Sequence, residues 1–174
     1  MKEHVILVDE DDNQIGEMPK LEAHQKGVLH RAFSIFIFNS KDEVLLQQRA
    51  KDKYHSAGLW SNTCCSHPAP GETTEEAVKR RLKQEMGMTC EMTPAFNFIY
   101  HAAFDNGLKE YEYDHVYFGV SDSIPEINKE EVNDWKYMSI SDLILEINNN
   151  PKDYTEWLKH CLEKVIKFKI SVKS

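Results

Sequence analysis

A short segment near the middle of the chain places a thiol close to an imidazole. Residues 60–68 read WSNTCCSHP, so Cys65 stands two positions before His67. A loop that leads into a helix is a place where a reactive thiol can be positioned and its acidity tuned. The plainer interpretation is that Cys64 and Cys65 are two small buried apolar side chains, and for an arbitrary cysteine that interpretation is favoured.

The segment that follows carries a cation and an anion one helical turn apart. Arg81 and Glu85 are four positions apart, with Ala77 one turn before them. Their face of the predicted helix is rotated away from an apolar stripe that contains Val78 and Leu82. A partly shielded cation and anion can bind a phosphate and a divalent metal ion, respectively. The alternative is an ordinary surface ion pair, worth about 0.3–0.5 kcal/mol.

Histidines and glutamates supply a further group of candidate ligands. His24, His30 and His67 come from three separate places, and Glu110 and Glu112 are two apart on a predicted strand. The strand period of two sends both carboxylates to one face. This donor set suits zinc, manganese or iron and contains too much nitrogen for calcium, whereas the alternative for the glutamates is a solvated edge strand. Lone histidines elsewhere are expected to be surface or hydrogen-bonded groups: His4, His55, His115 and His160.

The composition limits the class of protein. The chain has 174 residues, 41% of them hydrophobic, which predicts one compact domain with a sizeable core. A net charge of −8 without a Lys/Arg block argues against nucleic acid or an anionic membrane as a partner. The longest apolar stretch, around residues 33–38, is far shorter than the roughly 20 residues of a membrane span. With no signal peptide and no CxxC spacing among the four cysteines, we expect free thiols and a cytoplasmic location.

Hydrophobic patterns predict the elements that must position these residues. Strands are predicted over 5–8, 33–38, 44–46, 96–104, 111–120 and 132–138. Helices are predicted from Thr73 or Thr74 to Gly87, over 142–149 and over 154–170, with a short helix or loop over 19–27. The remaining segments are predicted as an acidic turn over 9–16, a long irregular connection over 51–71, and a tight turn at Asp105-Asn106-Gly107. Strands with interspersed helices indicate a mixed α/β protein, with an α/β/α sandwich as the expected architecture.

The segment 66–88 resembles the signature of the Nudix superfamily. The matching positions are Glu72, then after seven residues Arg80, followed by Leu82, Glu85, Gly87 and Met88. Three positions depart from the signature: Ser66 replaces its leading glycine, and Arg81 and Gln84 replace two glutamates. In the hydrolases those glutamates bind the metal ions that activate water, so their loss argues against pyrophosphate hydrolysis.

Three further segments resemble one branch of that superfamily, the type I isopentenyl-diphosphate isomerases. They are HRAFSIFIFN at 30–39, NTCCSHP at 62–68 and KEYEYDHVYFG at 109–119. The resemblance has recognisable blocks from Lys20 to Trp157, nearly the whole chain. It implies a Nudix-like mixed-sheet α/β/α sandwich as a single domain over 1–174. Within it, a short N-terminal extension would cover about 1–28, and the Nudix-like loop and helix 66–88.

The resemblance implies the 1,3-allylic shift that interconverts isopentenyl and dimethylallyl diphosphate in isoprenoid biosynthesis. An unactivated alkene is a very poor base, and its protonation creates a tertiary carbocation. The site therefore needs a positioned acid, a base on the other face, and stabilisation of the cation. The resemblance puts Cys65 and Glu112 on opposite faces of the substrate and leaves open which is the acid. It also gives Tyr100 a hydrogen bond near the acidic group, and Trp157 an indole face for the cation, with core packing as the alternative for Trp157.

The resemblance also implies the binding groups. One Mn²⁺ or Zn²⁺ would be held by five side chains: His24, His30, His67, Glu110 and Glu112. Mg²⁺ that bridges diphosphate oxygens would be held at Glu85. The diphosphate would be bound by four cations: Lys20, Arg49, Lys53 and Arg81. The implied partner is a small-molecule substrate, and monomer and homodimer both stay open.

Two competing functions come from other readings of the same residues. A Nudix hydrolase of a nucleoside or other diphosphate would release phosphate or a monophosphate, but Arg81, Gln84 and the Cys65 loop disfavour it. A non-catalytic Nudix-like module would use its histidines and cysteines to hold a structural zinc ion and would lose its fold on chelation. The isomerase ranks ahead of both.

Overall fold

A single mixed sheet organises the protein. The computed structural model describes residues 3–53, 55–104 and 106–173, with the side chains of the last helix described as far as residue 170. Within those residues the sheet has nine strands: β1 (His4–Val8), β2 (Gln14–Pro19), β3 (His30–Phe38), β4 (Glu43–Arg49), β5 (Trp60–Ser61), β6 (Cys64–Ser66), β7 (Met92–Ala103), β8 (Lys109–Val120) and β9 (Val132–Ser139). The helices are α1 (Lys20–Lys26), α2 (Thr74–Met86), α3 (Ile140–Asn149) and α4 (Glu156–Lys173), with one 3₁₀ turn at Pro151–Asp153.

Strand β3 lies at the centre of the sheet, as its long apolar run requires. It pairs antiparallel with β1, β4 and β6 and parallel with β8. The parallel register sets His30 beside Glu112. The antiparallel register with β6 sets Ser34 opposite Cys65. Strand β3 is therefore the element that brings a histidine, a carboxylate and a thiol into one neighbourhood.

Helices cover both faces of the sheet. Successive side chains of a strand point to opposite faces. Ile35 and Ile37 of β3 pack with Leu82 of α2, whereas Phe36 packs with Leu158 of α4. The two hydrophobic clusters lie on opposite faces, so the predicted α/β/α sandwich is confirmed.

Helix α2 has the boundaries that the sequence predicts. The Thr73 side chain accepts a hydrogen bond from the backbone N–H of Glu76, whose carboxylate accepts one from the backbone N–H of Thr73. The helix ends at Gly87, where φ is +61°. A Cβ atom at this position would lie 2.3 Å from the carbonyl oxygen of Glu126, so only glycine fits.

Two predicted loops contain strands instead. The connection predicted as irregular over 51–71 holds β5 and β6, and the acidic turn predicted over 9–16 ends where β2 begins at Gln14. Strand β6 has three residues, too few for an alternating pattern to show. Strand β2 lies at the sheet edge with no buried side chain, so it lacks an apolar face to detect.

The other predicted elements are confirmed, with ends shifted by a few residues. The segment 19–27 forms helix α1, and β7 and β8 pair along their length as predicted. Gly107 between them has φ of +82°, the backbone that a tight turn needs, whereas Asp105 of the predicted turn lies outside the described residues. The β3–β4 hairpin pairs at Phe38 and Val44. Among the described helices, none is both long and apolar enough to cross a membrane.

Candidate active site

A cavity of about 240 Å³ lies where residues from both faces of the sheet meet. Its wall includes the thiol of Cys65 and the indole of Trp157. The ionisable side chains that line it are Glu3, Lys20, His24, Arg49, Lys53, His55, His67, Arg81, Glu85, Glu110, Glu112 and Glu131. Four cations and five carboxylates in so small a space make this cavity a site for a charged ligand rather than an apolar one.

Four of the five predicted metal ligands converge beside this cavity. His24 on α1, His30 on β3, His67 after β6 and Glu112 on β8 each offer a ligand atom, and these atoms lie within 4.8 Å of one another. All four side chains are buried. The fifth, Glu110, lines the cavity next to them but is not part of this four-residue cluster. We call His24, His30, His67 and Glu112 the His/Glu cluster.

The hydrogen bonds of the His/Glu cluster fit a divalent metal ion. Glu112 Oε2 lies 2.8 Å from His67 Nε2 and 3.3 Å from His30 Nε2. His30 Nδ1 lies 2.8 Å from the carbonyl oxygen of Val28, so it donates there and leaves the Nε2 lone pair facing the cluster. A histidine ligand held by a backbone carbonyl through its other nitrogen is the usual arrangement in metal sites. Three imidazoles and one carboxylate are therefore set to bind one ion.

Electrostatics keep two members of the cluster, His24 and Glu112, in the deprotonated form that metal binding needs. Burial lowers the pKa of His24 to about 3, and the neighbouring His67 adds to the shift, so the imidazole is neutral. Burial by itself would raise the pKa of Glu112, but the hydrogen bond with His67 and the nearby imidazole of His30 outweigh it and hold that pKa well below its usual range. Metal ligands must be deprotonated, and both groups are.

Strand β8 buries three carboxylates on one face. Glu110, Glu112 and Asp114 alternate with half-exposed residues, as the period of two predicts for the first pair. Burial and the charge of Glu112 raise the pKa of Glu110 well above its usual range, and they raise that of Asp114 to about 8. Asp114 was missed by sequence reasoning, although the same spacing that selects Glu110 and Glu112 also selects it.

The thiol of Cys65 faces the cavity, and the thiol of Cys64 does not. Cys64 packs in the core on the α2 face of the sheet, whereas Cys65 lies opposite Ser34 on the other face. Cys65 Sγ is 3.0 Å from Asn62 Oδ1 and 3.5 Å from Ser34 Oγ. Burial, with the nearby Asp114, raises the pKa of the Cys65 thiol, so it carries its proton at neutral pH. The cysteines are free, as predicted.

The four predicted phosphate-binding cations all line the cavity, where three of them contact carboxylates. Arg81 Nη2 donates to Glu85 Oε2 at 2.6 Å and lies 3.7 Å from Glu131. Lys53 forms an ion pair with the same Glu131. Lys20 Nζ lies 3.5 Å from a carboxylate oxygen of Glu3. Each pair holds a cation at the cavity wall, where a phosphate oxygen could take the place of the carboxylate.

Helix α4 contributes the indole that the sequence predicts. Trp157 lines the cavity, and the guanidinium carbon of Arg49 lies 5.0 Å from the centre of its ring. The indole is 5% exposed, as core packing requires, and its ring contacts a guanidinium group; its role toward the substrate carbocation stays a prediction. Arg49 also donates to the backbone carbonyl of His55 at 3.3 Å.

His55, expected to be a surface or hydrogen-bonded group, is hydrogen-bonded: its Nδ1 lies 3.3 Å from Ser56 Oγ. The sequence did not indicate its place in the cavity wall. Its side chain lines the cavity, where its ring stacks on Phe104 with centroids 5.0 Å apart and an angle of 10°. His55 Nε2 lies 3.8 Å from Glu110 Oε1. Burial lowers the pKa of His55 to about 3, with Arg49 adding to the shift. A histidine in an irregular segment has no periodic pattern, so the sequence held no signal for its burial.

Tyr100 is buried beside the cluster rather than on the cavity wall. On β7 it lies directly opposite Glu112 of β8, and its ring contacts His160 of α4. Burial, with Glu110 and Glu112, raises the pKa of its phenol. Among the described residues its hydroxyl oxygen has no hydrogen-bond partner, so the expected hydrogen bond near the acidic group is not formed in this structure.

Comparison with known proteins places this geometry in a family. The NUDIX domain model matches residues 28–160. An isopentenyl-diphosphate Delta-isomerase 2 from Aromatoleum aromaticum is 51% identical over 166 residues, 95% of this chain and 88% of the relative. An isopentenyl-diphosphate Delta-isomerase from Pectobacterium atrosepticum is 53% identical over 155 residues, 89% of this chain and 87% of the relative. The chain belongs to the isopentenyl-diphosphate Delta-isomerase family. It is thus an isomerase-family member of the NUDIX superfamily, as the resemblance implied.

Solved structures support the same fold for this isomerase-family chain. A Deinococcus radiodurans protein superposes with a TM-score of 0.77 at 20% identity, covering 93% of this chain and 98% of that one. The MutT protein from Methanosarcina mazei superposes with a TM-score of 0.68 at 18% identity, covering 84% and 96%. At these identities the likeness concerns the fold alone. The NUDIX match begins at residue 28, after Lys20 and His24, so two candidate site residues come from the segment that precedes it.

Proposed function

We propose that this protein isomerises isopentenyl diphosphate to dimethylallyl diphosphate by adding one proton and removing another. Its relatives in the comparison carry that activity in their names, at about half identity over most of both chains. The observation that carries the proposal is the cavity itself. One small space is lined by a thiol, by a buried carboxylate in a histidine cluster, and by four cations.

The chemistry requires an acid and a base that reach the same five-carbon group. We propose Cys65 and Glu112 for these roles, because both line the cavity; Glu112 is buried and Cys65 is half-buried. One gives a proton to the terminal alkene carbon, and the other takes a proton from the carbon next to the phosphate-bearing one. The double bond moves by one position, and the substrate neither gains nor loses atoms. General acid–base catalysis of this kind contributes about 10²–10⁴ to the rate.

The diphosphate is the part of the substrate that the cations recognise. We propose that Lys20, Arg49, Lys53 and Arg81 bind it, since all four line the cavity. The guanidinium group of Arg81 presents two donors to Glu85, and the same fork suits a phosphate. Glu85 would then be free to hold Mg²⁺ together with phosphate oxygens.

We propose Mn²⁺ or Zn²⁺ for the His/Glu cluster, with Glu110 as a fifth candidate ligand. The nitrogen-rich donor set supports either ion and disfavours Mg²⁺ or Ca²⁺. A bound ion would fix the orientation of the Glu112 carboxylate and draw charge from it. Independently of the ion, the 2.8 Å hydrogen bond with His67 Nε2 holds that carboxylate in place.

The proposed surroundings of the carbocation come from α4 and β7. Trp157 presents an aromatic ring to the cavity, which can stabilise positive charge at the tertiary carbon. Arg49 lies near the same ring, where its positive charge would repel the carbocation. The bound diphosphate has to neutralise that charge. We assign Tyr100, which lies opposite Glu112 on the neighbouring strand, a supporting role as a hydrogen-bond donor to that carboxylate.

The proposal needs only a small-molecule partner. The cavity is lined by residues of one chain, so a monomer or a homodimer would serve, and the net charge of −8 does not favour nucleic acid. Free cysteines fit a reducing compartment, and we propose the cytoplasm. We treat residues 1–174 as one isomerase domain, in which the extension of about 1–28 supplies Lys20 and His24.

The decisive experiment is proton NMR of the purified protein with isopentenyl diphosphate and Mg²⁺ in D₂O. We expect dimethylallyl diphosphate with deuterium incorporated, because both proton transfers exchange with solvent. Release of inorganic phosphate or isopentenyl monophosphate would favour a hydrolase instead. No turnover by metal-replete, folded protein would favour the binding module.

Cys65→Ala and Cys64→Ala form a matched pair for the proposed thiol. Both variants lose one sulfur from adjacent positions, but only Cys65 faces the cavity. We expect Cys65→Ala to lose at least about 10²-fold in kcat and Cys64→Ala to stay within a few-fold of the parent protein. Equal losses in the two variants would contradict the role of Cys65.

A further inference from the structure

Every polar atom of the Asn62 side chain has a partner, and one of these partners is the thiol of Cys65. Asn62 is 1% exposed. Its Nδ2 donates to the carbonyl oxygens of Ile35 at 3.0 Å and Cys64 at 3.3 Å. Its Oδ1 accepts from Ser61 Oγ at 2.9 Å and from Cys65 Sγ at 3.0 Å. Two carbonyl acceptors fix which end of the amide is nitrogen, so the oxygen has to face the sulfur.

Ser34 provides the second oxygen beside the same sulfur atom. Ser34 Oγ lies 3.5 Å from Cys65 Sγ. Its single hydrogen is donated to Asp114 Oδ2 at 2.8 Å, so the side toward the sulfur presents a lone pair. Both neighbours of the sulfur are thus acceptors, and the hydrogen between them belongs to the thiol.

The backbone explains why such a support is needed. Cys64 and Cys65 are successive residues of β6, and their side chains point to opposite faces of the sheet. Only three residues of β6 pair with β3, so the strand itself fixes Cys65 weakly. Asn62 connects this segment to β3 through Ile35 and at the same time contacts the sulfur.

We propose that Asn62 is a positioning residue for the isomerisation: its amide oxygen accepts the thiol hydrogen of Cys65 and so holds Sγ at the cavity wall. The inference rests on the proposed function, since it assigns Asn62 a part in the same reaction. Displacing a reacting group by about 1 Å can cost 10²-fold in rate. Asn62 does not line the cavity, so its loss should affect kcat rather than substrate binding.

Thr63 offers a matched control in the next position. It is fully buried, and its Oγ1 donates to the carbonyl oxygen of Leu45 at 2.6 Å and accepts from the backbone N–H of Ile37 at 2.9 Å. It therefore bridges the same segment to β3 and β4 but has no contact with the sulfur in the described contacts. Thr63→Val removes both bonds with little change of shape and should cost comparable stability.

The experiment compares Asn62→Leu with Thr63→Val by steady-state kinetics and by the infrared S–H stretch. The band of Cys65 is assigned as the one lost in Cys65→Ser. We expect Asn62→Leu to lower kcat about 10²-fold at unchanged KM and to move that band to higher frequency. We expect Thr63→Val to stay within a few-fold in kcat, with the Cys65 band unmoved.

Ser61→Ala gives a milder test in case Asn62→Leu does not fold. Ser61 shares the oxygen of Asn62 with the thiol, so its removal should strengthen the remaining hydrogen bond and move the Cys65 band to lower frequency. A Cys65 band that stays in place in the folded variants overturns the inference, and so does equal loss of kcat in Asn62→Leu and Thr63→Val. Absence of isomerase activity in the parent protein would instead overturn the proposed function, because the band shifts do not depend on turnover.

Discussion

Glu112 on strand β8 and Glu85 on helix α2 line the same cavity, and their partners differ in kind. Glu112 on β8 meets His30 and His67, which are themselves ligand-type side chains. Glu85 on α2 meets donors that cannot bind a metal ion: Arg81 at 2.6 Å and the amide nitrogen of Gln47 at 3.0 Å. Both carboxylates are buried.

The difference supports the proposal of a resident metal site at the His/Glu cluster and a substrate-dependent one at Glu85. The His/Glu cluster offers four ligand atoms from the chain, enough for a tetrahedral ion. Glu85 offers one carboxylate whose charge is already compensated by Arg81. Mg²⁺ usually keeps several waters and is bound by one or two carboxylates together with substrate phosphates. Glu85 therefore fits a magnesium site that is complete only when the diphosphate is bound. The diphosphate would pair with Arg81 and leave Glu85 to the ion.

The largest expected effect comes from Glu112→Gln. It removes the charge that three histidines surround and the group proposed for proton transfer. We expect kcat to fall by about 10⁴-fold and the purified protein to lose most of its tightly bound transition metal. Activity assays and elemental analysis measure the two effects. The control is Glu163→Gln at an exposed ion pair on α4, for which neither quantity should change. Full metal content in Glu112→Gln would contradict the proposal that Glu112 is a ligand of the resident metal site.

Glu85→Gln should separate the two sites. We expect about 10²-fold lower activity and at least a tenfold higher Mg²⁺ concentration for half-maximal rate, because one carboxylate ligand of a substrate-completed site is lost. The transition metal of the His/Glu cluster should remain, as elemental analysis would show. Loss of that metal would mean that the two carboxylates belong to one centre.

Arg81→Lys keeps the charge and removes the guanidinium fork. A charge-assisted hydrogen bond is worth about 1.5–3 kcal/mol, so we expect KM for isopentenyl diphosphate to rise about 10- to 100-fold. The value of kcat should change by less than about threefold. A lower kcat at constant KM would instead indicate that Arg81 acts on the reacting carbons.

The last expected effect concerns stability in acid rather than activity. Burial lowers the pKa values of His24 and His55 to about 3, against 6.5 for the free side chain. Below pH 6.5 the unfolded chain binds protons that the folded chain does not bind. The free energy of unfolding of metal-free protein should therefore fall as the pH drops from 6.5 toward 3. Each group contributes up to about 1.4 kcal/mol per pH unit.

Urea unfolding in a chelator at several pH values measures this slope. His55→Phe keeps an aromatic ring stacked on Phe104 and should make the slope shallower, while the metal content measured before chelation stays unchanged. An equal slope in both proteins would show that folding does not lower the pKa of His55.

The sequence predicts the strands and helices that have a regular residue pattern or a helix-capping motif. The apolar run of β3, the alternating carboxylates of β8 and the capped helix α2 all appear where expected. The site residues follow from residue types and from resemblance, and the structure brings His24, His30, His67 and Glu112 together.

What the sequence could not show depends on contacts between distant segments. The His55 side chain stacks on Phe104 and lines the cavity, and the neighbouring sequence indicates neither contact. The three residues of β6 carry no strand pattern of their own, and they form a strand because they pair with β3. The pairing of Arg81 with Glu85 follows from their spacing, but only the cavity shows that a ligand could separate them.

The parallel pairing of β3 with β8 also affects how the protein folds. Ser34 and Asp114, joined by a hydrogen bond across this pairing, are 80 residues apart in the chain. Non-local pairings of this kind have high contact order and form late, since loop closure has to precede the contacts that reward it. The His/Glu cluster spans the same pairing through His30 and Glu112. The His/Glu cluster therefore forms only after β3 and β8 have paired. Uptake of a metal ion during refolding can report when this pairing is complete.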